Sequence, residues 1–331
     1  MHAKTTDPAH PAEATGDAQT TLYGDIGPEP ITTATFLQAD RPLLIPAYGI
    51  GRDSTAILIK LKRLGIRPDL ILTADVGLEW PETYAYLPVM NEWLRGSDFP
   101  EVTIVRKRSP HVCDLTLEDE LLRLGLLPAI AYGKGSCSAK WKISSQEYFL
   151  NRWEPAVLSW RRGRKVVRAI GYEATECKRV DEASTYRQSN PSAKYDYWHP
   201  LVEWGYGLDE CVEVIRDEGL PLPPKSACWL CSSSKKHEIE RLARTHPDLF
   251  LRALLVERLA EPKNRTVKGL GRNFAWSSLP CAAPFLDELR RIVEERERTR
   301  AAGFIPLTRG ARIIHGVTPP RVTRESLPVA A

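Results

Sequence analysis

Leu43-Leu44-Ile45-Pro46-Ala47-Tyr48-Gly49-Ile50-Gly51-Arg52-Asp53-Ser54-Thr55 is the stretch of sequence that decides the fold. It joins an apolar strand, a turn with two glycines and the start of a helix, in that order. Glycines let the main chain approach an anion closely, and the positive end of the following helix adds about half a unit charge. The stretch therefore predicts a phosphate-binding turn over Gly49 to Thr55.

Short apolar runs alternate with amphipathic segments downstream of this stretch, a pattern typical of a parallel sheet covered by helices on both faces. The predicted strands are 43–48, 69–74, 102–105 and 166–170, and the first two predicted helices are 54–64 and 81–94. After about Gly171 the strand signal fades, and helices are predicted over 209–218, 238–245, 248–260 and 284–301. We therefore predict an α/β fold with a doubly wound, mostly parallel sheet and a helical C-terminal extension.

Composition divides the 331 residues into four parts. Residues 1–35 have no periodic apolar pattern and are predicted to be a disordered tail. Residues 36–220 are predicted to be the α/β domain that carries the phosphate-binding turn. A helical extension that contains cysteines is predicted over 221–305, and a partly ordered tail over 306–331.

The net charge and the hydropathy of the chain limit the classes of protein to which it is expected to belong. The net charge of +4 is too mild to indicate a nucleic-acid binder by itself. No apolar run approaches the roughly 20 residues that a membrane span requires, and the start of the chain lacks the pattern of an export signal. We expect a cytoplasmic protein without membrane contact. The seven cysteines, an odd number, favour thiols, metal ligands or catalytic sulfurs over structural disulfides.

The phosphate-binding turn resembles the S-G-G-x-D-S-[ST] signature of the PP-loop ATP pyrophosphatases. Asp53, Ser54 and Thr55 match, whereas Gly49 replaces the leading serine and Ile50 replaces the first glycine. The resemblance implies an adenine nucleotide α-hydrolase-like fold that binds ATP with Mg²⁺. Arg52 would neutralise phosphate oxygens, and Asp53 would hold the Mg²⁺ or orient the turn. The implied nucleotide-binding residues of this segment are Tyr48, Gly49, Gly51, Arg52, Asp53, Ser54 and Thr55.

Two later segments resemble the phosphoadenosine-phosphosulfate reductase family, which is related to the DNA phosphorothioation and tRNA thiolation ATPases. Asp75-Val76-Gly77-Leu78-Glu79-Trp80-Pro81-Glu82-Thr83 is similar to D-T-G-x-x-x-P-E-T, which implies that the turn with Asp75 and Gly77 lies against the adenosine. Ile170 to Arg179 is similar to G-x-R-x-x-E-S-x-R, with Gly171, Glu176 and Arg179 in place. Arg179 would then bind phosphate as a catalytic residue. The alternative for it is a surface ion pair with Glu176 or Asp181.

Cys228 and Cys231 form a C-x-x-C pair, a spacing that lets two sulfurs bind one metal ion or one cluster. Cys137 lies in a segment that resembles the family's C-C-x-x-R-K and is the candidate third ligand. The fourth position is left to Cys177, to His237 or to no protein group. Three alternatives stay open, namely a [4Fe-4S] cluster, a zinc ion and free thiols. Cys113, Cys211 and Cys281 are predicted to be packing residues.

Three functions follow from these motifs. The first is an enzyme that adenylates an acceptor and releases pyrophosphate, for sulfur transfer to a nucleic acid or a small molecule, with a sulfur-donor protein as a further partner. The second is a thiol-dependent reductase of a sulfonucleotide such as phosphoadenosine phosphosulfate. The third is a non-catalytic, nucleotide-sensing subunit of a complex. An oligomer is compatible with each of them.

Overall fold

The computed structural model of the chain describes residues 30–107, 116–133 and 137–301. From Thr32 onward the described residues belong to one compact unit. The predicted tail at 306–331 and most of the tail at 1–35 lie outside the described residues, as does Cys113. The predicted boundary between an α/β domain and a helical extension near residue 220 stays a prediction.

The described strands are β1 (Leu44–Pro46), β2 (Ile71–Asp75), β3 (Val102–Arg106), β4 (Val166–Ala169) and β5 (Tyr195–Trp198). They pair in parallel and form two sheets, with strand orders β1-β4-β5 and β2-β3. Leu44 of β1 aligns with Val167 of β4. A parallel bridge from Ala47 to Leu72 links β1 to β2, and Tyr48 N donates to Leu72 O at 2.9 Å. Because all these pairings are parallel, the carboxyl ends of the strands point toward one edge.

Helices connect the strands and make up most of the chain after β5. A π-helical turn, Ser138–Ile143, precedes α5. The α-helices are α1 (Thr33–Phe36), α2 (Arg52–Arg63), α3 (Pro81–Gly96), α4 (Leu117–Leu124), α5 (Ser144–Leu150), α6 (Glu154–Arg161), α7 (Cys177–Ser189), α8 (Pro200–Glu203), α9 (Leu208–Asp217), α10 (Lys236–Thr245), α11 (Pro247–Ala260) and α12 (Leu286–Ala301).

Clusters of buried apolar residues pack the described elements together. One lies between the sheets and the helices α5 and α6, and it includes Leu72, Leu150 and Val166. Another, larger cluster joins the turn after β2 and helix α4 to helices α10, α11 and α12, with Trp141 and Phe250 among its buried residues. The turns at the ends of β1, β2 and β4 are therefore anchored in packed structure, which fixes the edge where ligands of such sheets bind.

The four predicted strands are present, with ends that differ by one or two residues. The prediction that strands end near Gly171 is wrong, because β5 follows and pairs with β4. Strand β5 escaped notice because it is four residues long and carries Asp196 among its aromatic residues. The observed architecture is a mixed α/β fold with parallel sheets and a helical C-terminal part.

Candidate functional site

The turn after β1 directs two backbone amides at one point. Gly49 N and Gly51 N both donate to the Ser54 hydroxyl oxygen, at 3.2 and 3.4 Å. That hydroxyl donates in turn to Gly51 O at 3.2 Å. The converging amides lie at the start of α2, where the first N–H groups of a helix have no partner within the helix. This arrangement has the shape of an anion-binding nest.

Ile50, which departs from the signature's glycine, keeps the conformation that a glycine favours. Its φ is 57°, in the left-handed region, and its side chain is 4% exposed. A β-branched residue rarely adopts this conformation, so burial of the side chain offsets a real backbone cost. The replacement of the signature's glycine by Ile50 therefore adds a side chain beneath the turn and keeps the left-handed backbone conformation at this position.

Tyr48 and Thr55 lie beneath the turn and not at its surface. Thr55 is fully buried, and its hydroxyl is 3.3 Å from the Tyr48 hydroxyl. Burial raises the pKa of Tyr48 well above its usual value. These two side chains brace the turn from inside, which leaves the Ser54 hydroxyl and the main chain facing the candidate phosphate position.

The turn after β4 packs directly on the start of α2. A Cβ added at Gly171 would lie 3.4 Å from Asp53 Cβ, Ile57 Cδ1 and Ser54 N. A Cβ at this distance would be in van der Waals contact, so the two segments lie directly against each other. The structure thus brings Gly171 together with Asp53 and Ser54.

Asp53 lies in a region of negative charge. Burial is the largest cause that raises the pKa of its carboxyl, and Glu173 and Glu176 raise it further, against Arg52. Glu173 Oε2 is buried and has no hydrogen-bond partner among the described residues. Sequence reasoning gave Glu173 no role, although it lies in the same turn as Gly171. A cation beside Asp53 and Glu173 would relieve this repulsion.

Arg179 makes the ion pair with Glu176 that the sequence offered as an alternative to phosphate binding. Its guanidinium also lies 4.4 Å from the ring centre of Tyr172. Burial disfavours the charged guanidinium and acts to lower its pKa, but the ion pair with Glu176 outweighs this effect and raises the pKa of Arg179. The side chain is 59% exposed, so Arg179 stands at the rim of the site with further N–H groups for a phosphate.

An aromatic and cationic cluster lies beside Arg179. Tyr172 stacks on His199, with ring centres 5.3 Å apart and an interplanar angle of 8°. Arg187 Nη1 lies 2.8 Å from His199 Nε2. Burial, together with the charge of Arg187, lowers the pKa of His199 to about 4. His199 is therefore neutral near pH 7 and accepts a hydrogen bond at Nε2.

Asp75 fixes the turn after β2. Its Oδ1 accepts from Gly77 N at 2.7 Å and from Tyr84 Oη at 2.6 Å, and its Oδ2 accepts from Arg106 Nε at 2.9 Å. The side chain is buried, and Gly77 has a φ of 77°. Asp75 thus sets the shape of the turn through contacts within the protein, and an adenosine would meet the turn's main chain.

The three cysteines proposed as ligands lie in one region. The pKa of Cys228 is raised well above its usual value, first by burial and next by the charge of Glu79. Cys231 and Cys137 are close enough to raise the pKa of Cys228 as well. Lys142 Nζ lies 3.4 Å from Glu79 Oε1 in the same region. The side chain of Cys177 lies outside the described part of the structure, and Cys211 is fully buried, as predicted.

These thiols do not form a metal site as they are placed. Within the described ranges, no three His, Cys, Asp or Glu side chains are grouped closely enough to hold a metal ion. Three thiols are the right donors for a cluster or for zinc, but their geometry here does not fit either group.

Comparisons with known proteins give a limited result. No family model and no curated protein matches the chain. The chain is similar to the solved structure of the U34-tRNA thiolase NcsA from Methanococcus maripaludis with its [4Fe-4S] cluster, with 15% sequence identity and a TM-score of 0.37. The match covers 72% of this chain and 76% of that one. In the described part of the chain, none of the helices has the length and apolar character needed to cross a membrane.

Proposed function

We propose that the protein binds ATP with Mg²⁺ and adenylates an acceptor with release of pyrophosphate, so that sulfur can be installed. The observation that carries this proposal is the convergence of Gly49 N and Gly51 N on one oxygen at the start of α2. A phosphate oxygen could take the position of the Ser54 hydroxyl and would receive the same two amides. The bridge between β1 and β2 supports the doubly wound sheet that such a site requires.

Mg²⁺ fits the carboxylates beside the turn. Asp53 and Glu173 repel each other across the start of α2, and Glu173 Oε2 is an unpartnered oxygen in the described structure. Hard oxygen ligands of this kind, completed by phosphate oxygens, are what Mg²⁺ takes. When bound, Mg²⁺ would neutralise phosphate charge, and Asp53 and Glu173 would hold it.

The reaction would be an in-line displacement at the α-phosphorus. An acceptor nucleophile forms a bond to this phosphorus as the bond to the bridging oxygen of the β-phosphate breaks, and pyrophosphate leaves. Positioning and charge neutralisation would carry the catalysis, with Arg52 and Arg179 as the cationic side chains. The amides of the turn would hold the departing pyrophosphate.

The adenosine would lie against the turn that Asp75 and Gly77 form, next to the phosphate position. Support for this placement comes from the parallel link between β1 and β2, because their ends lie side by side. The acceptor would be a nucleic acid or a small molecule, and Cys137, Cys228 and Cys231 are the candidate sulfur-handling residues. The described thiols as they are placed do not fit the [4Fe-4S] cluster that the sequence suggested. The absorption spectrum of anaerobically purified protein would show whether a cluster is bound.

The test is pyrophosphate release from ATP in the presence of Mg²⁺ and candidate acceptors, among them bulk tRNA and DNA. We expect acceptor-dependent release, reduced about 100-fold or more in Asp53→Asn. Asp98→Asn is the matched control, because Asp98 is 98% exposed. Tight ATP binding with no pyrophosphate from any acceptor, or sulfite release from phosphoadenosine phosphosulfate, would contradict the proposal.

A further inference from the structure

A cavity outside the phosphate-binding turn lies between the start of α3, the segment before the cysteine pair and helix α10. It is an open depression, and its space of about 410 Å³ includes open solvent. The lining that matters here comprises Trp80, Glu82, Lys225, Ala227, Glu238 and Arg241. Two carboxylates and two cations thus face one cavity, whose lining carries no net charge.

One carboxylate oxygen of this lining lacks a partner. Glu82 Oε1 lies 3.1 Å from His246 Nε2 and 3.5 Å from Arg241 Nη2. Glu82 Oε2 is buried and has no hydrogen-bond partner among the described residues. A buried acceptor of this kind is stabilised by any donor that reaches it, and most of all by a charged one.

The two cations retain unused donors. Lys225 Nζ pairs with Glu238 Oε1, which uses one of three ammonium hydrogens. Arg241 makes a long ion pair with Glu82, at 3.5 Å, and its guanidinium lies 5.1 Å from the ring centre of Trp80. Both side chains are at least half exposed, so they can turn toward a bound carboxylate without breaking the core.

We propose that this cavity binds a small α-amino acid, with its ammonium group on Glu82 Oε2 and its carboxylate on Lys225 and Arg241. A simple anion would face Glu82 and Glu238, and a simple cation would face Lys225 and Arg241. An apolar ligand would desolvate these charges and leave the buried Glu82 Oε2 without a donor. A zwitterion offers an ammonium group to that oxygen and a carboxylate to the two cations on the same molecule.

The cavity adjoins the segment that carries the cysteine pair. Ala227, which lines the cavity, directly precedes Cys228. L-Cysteine is therefore the amino acid with which binding is tested first. Binding of an amino acid in this cavity does not depend on the proposed function.

Equilibrium dialysis with radiolabelled L-cysteine under reducing conditions tests the proposal, with cysteamine and 3-mercaptopropionate as competitors. Cysteamine lacks the carboxylate and 3-mercaptopropionate lacks the ammonium group. We expect L-cysteine and L-serine to compete with the label, and each of the two truncated thiols to bind at least about tenfold more weakly. Competition by either truncated thiol at the affinity of L-cysteine would overturn the proposal, as would the absence of binding at about 10 mM.

Variants of the charged residues that line the cavity test whether L-cysteine binds there. Glu82→Gln and Arg241→Met should each weaken L-cysteine binding about tenfold or more, because each removes one of the paired charges. The matched controls are Glu92→Gln on the same helix α3 and Arg244→Met on the same helix α10, both at exposed positions. If Glu82→Gln does not fold, Lys225→Met at a 59% exposed side chain replaces it. Equal binding by test and control variants would overturn the assignment.

ATP binding measured on the same samples separates the two proposals. Glu82→Gln should keep the ATP affinity of the parent protein while it loses L-cysteine, which would support two distinct sites. A parent protein that binds L-cysteine and no ATP would contradict the proposed function and support this site. A parent protein that binds ATP and no amino acid would contradict this site and support the proposed function.

Discussion

The Ser226 hydroxyl donates a hydrogen bond to the Gly49 carbonyl oxygen, which ties the segment before the cysteine pair to the turn after β1. A Cβ added at Gly51 would lie 3.3 Å from Ser226 Cβ. Cys228 follows two residues later and pairs through its backbone with Glu79. The candidate phosphate position and the cysteines are therefore joined by one short, anchored segment.

This contact predicts the effect of Gly51→Ala. The added methyl group would press on Ser226, so we expect an ATP affinity several-fold lower and a free energy of unfolding lower by about 1 kcal/mol. Ser226→Gly removes the contacting Cβ together with the hydrogen bond to Gly49, so the fair comparison is the effect of Gly51→Ala in the parent protein and in Ser226→Gly. We expect Gly51→Ala to cost much less of both quantities in the Ser226→Gly background. Titration calorimetry with ATP and denaturant unfolding measure the two quantities. Equal costs in the two backgrounds would show that the methyl group acts elsewhere.

Gly77 should be far less tolerant of alanine than Gly65. Both have a positive φ, 77° and 69°, so each alanine meets a backbone cost of about 1 to 2 kcal/mol. A Cβ at Gly77 would also lie 2.5 Å from Thr116 Cγ2, whereas nothing lies within 4 Å of one at Gly65. We expect Gly77→Ala to lower the free energy of unfolding by about 1 to 3 kcal/mol more than Gly65→Ala does. Equal losses in urea unfolding would contradict this packing.

His199 should make the protein less stable in acid. Its folded-state pKa of about 4 lies below the unfolded value, so the unfolded chain binds a proton first as the pH falls. The free energy of unfolding should therefore be unaffected by this group above pH ~6.5 and fall between pH ~6.5 and 4, by about 2 kcal/mol after allowance for partial exposure.

Variants assign this pH dependence to His199. His199→Gln should flatten the profile of unfolding free energy between these pH values. Arg187→Met should reduce the slope, because the charge of Arg187 is one of the causes of the lowered pKa. His237→Gln, at an exposed position, is the control and should leave the profile unchanged. An unchanged slope in His199→Gln would show that other groups produce the acid sensitivity.

Glu257 should be a large contributor to the stability of the C-terminal part. Its buried carboxylate accepts from three backbone amides, those of Leu270, Trp276 and Ser277, at 2.7, 2.8 and 2.9 Å. Glu257→Ala should lower the free energy of unfolding by about 3 kcal/mol or more, and Glu257→Gln by about half as much. Glu240→Ala, at an exposed position on α10, should change it by less than about 0.5 kcal/mol. Thermal and urea unfolding would show whether this order holds.

The elements that sequence predicted correctly are those with a strong local signal. Strand β1 and helix α2 combine an apolar run, glycines and helical spacing of Ile57, Leu58 and Leu61, all of which are buried. Helix α7 has no such signal, because none of its described side chains is buried, and it was not predicted. Hydrophobic periodicity in the sequence arises where one face of an element is buried, so a helix without buried side chains gives no periodic signal.

The residues of the candidate site also divide into those with a local sequence signal and those brought together only by tertiary packing. The turn from Gly49 to Thr55 is a local motif, so its residues could be named from sequence alone. The approach of Ser226 to Gly49, which are 177 residues apart, has no local signature and comes from tertiary packing. The same holds for the closeness of Glu173 to Asp53, which appears only once β4 pairs with β1.

A crystal structure of the protein with Mg²⁺ and a non-hydrolysable ATP analogue tests the central claim most directly. We predict phosphate oxygens within about 3 Å of main-chain nitrogens in the turn from Gly49 to Ser54, with the Ser54 hydroxyl displaced from the Gly49 and Gly51 amides. An empty turn that keeps its present hydrogen bonds, or an analogue bound elsewhere with its phosphates in solvent, would contradict the account.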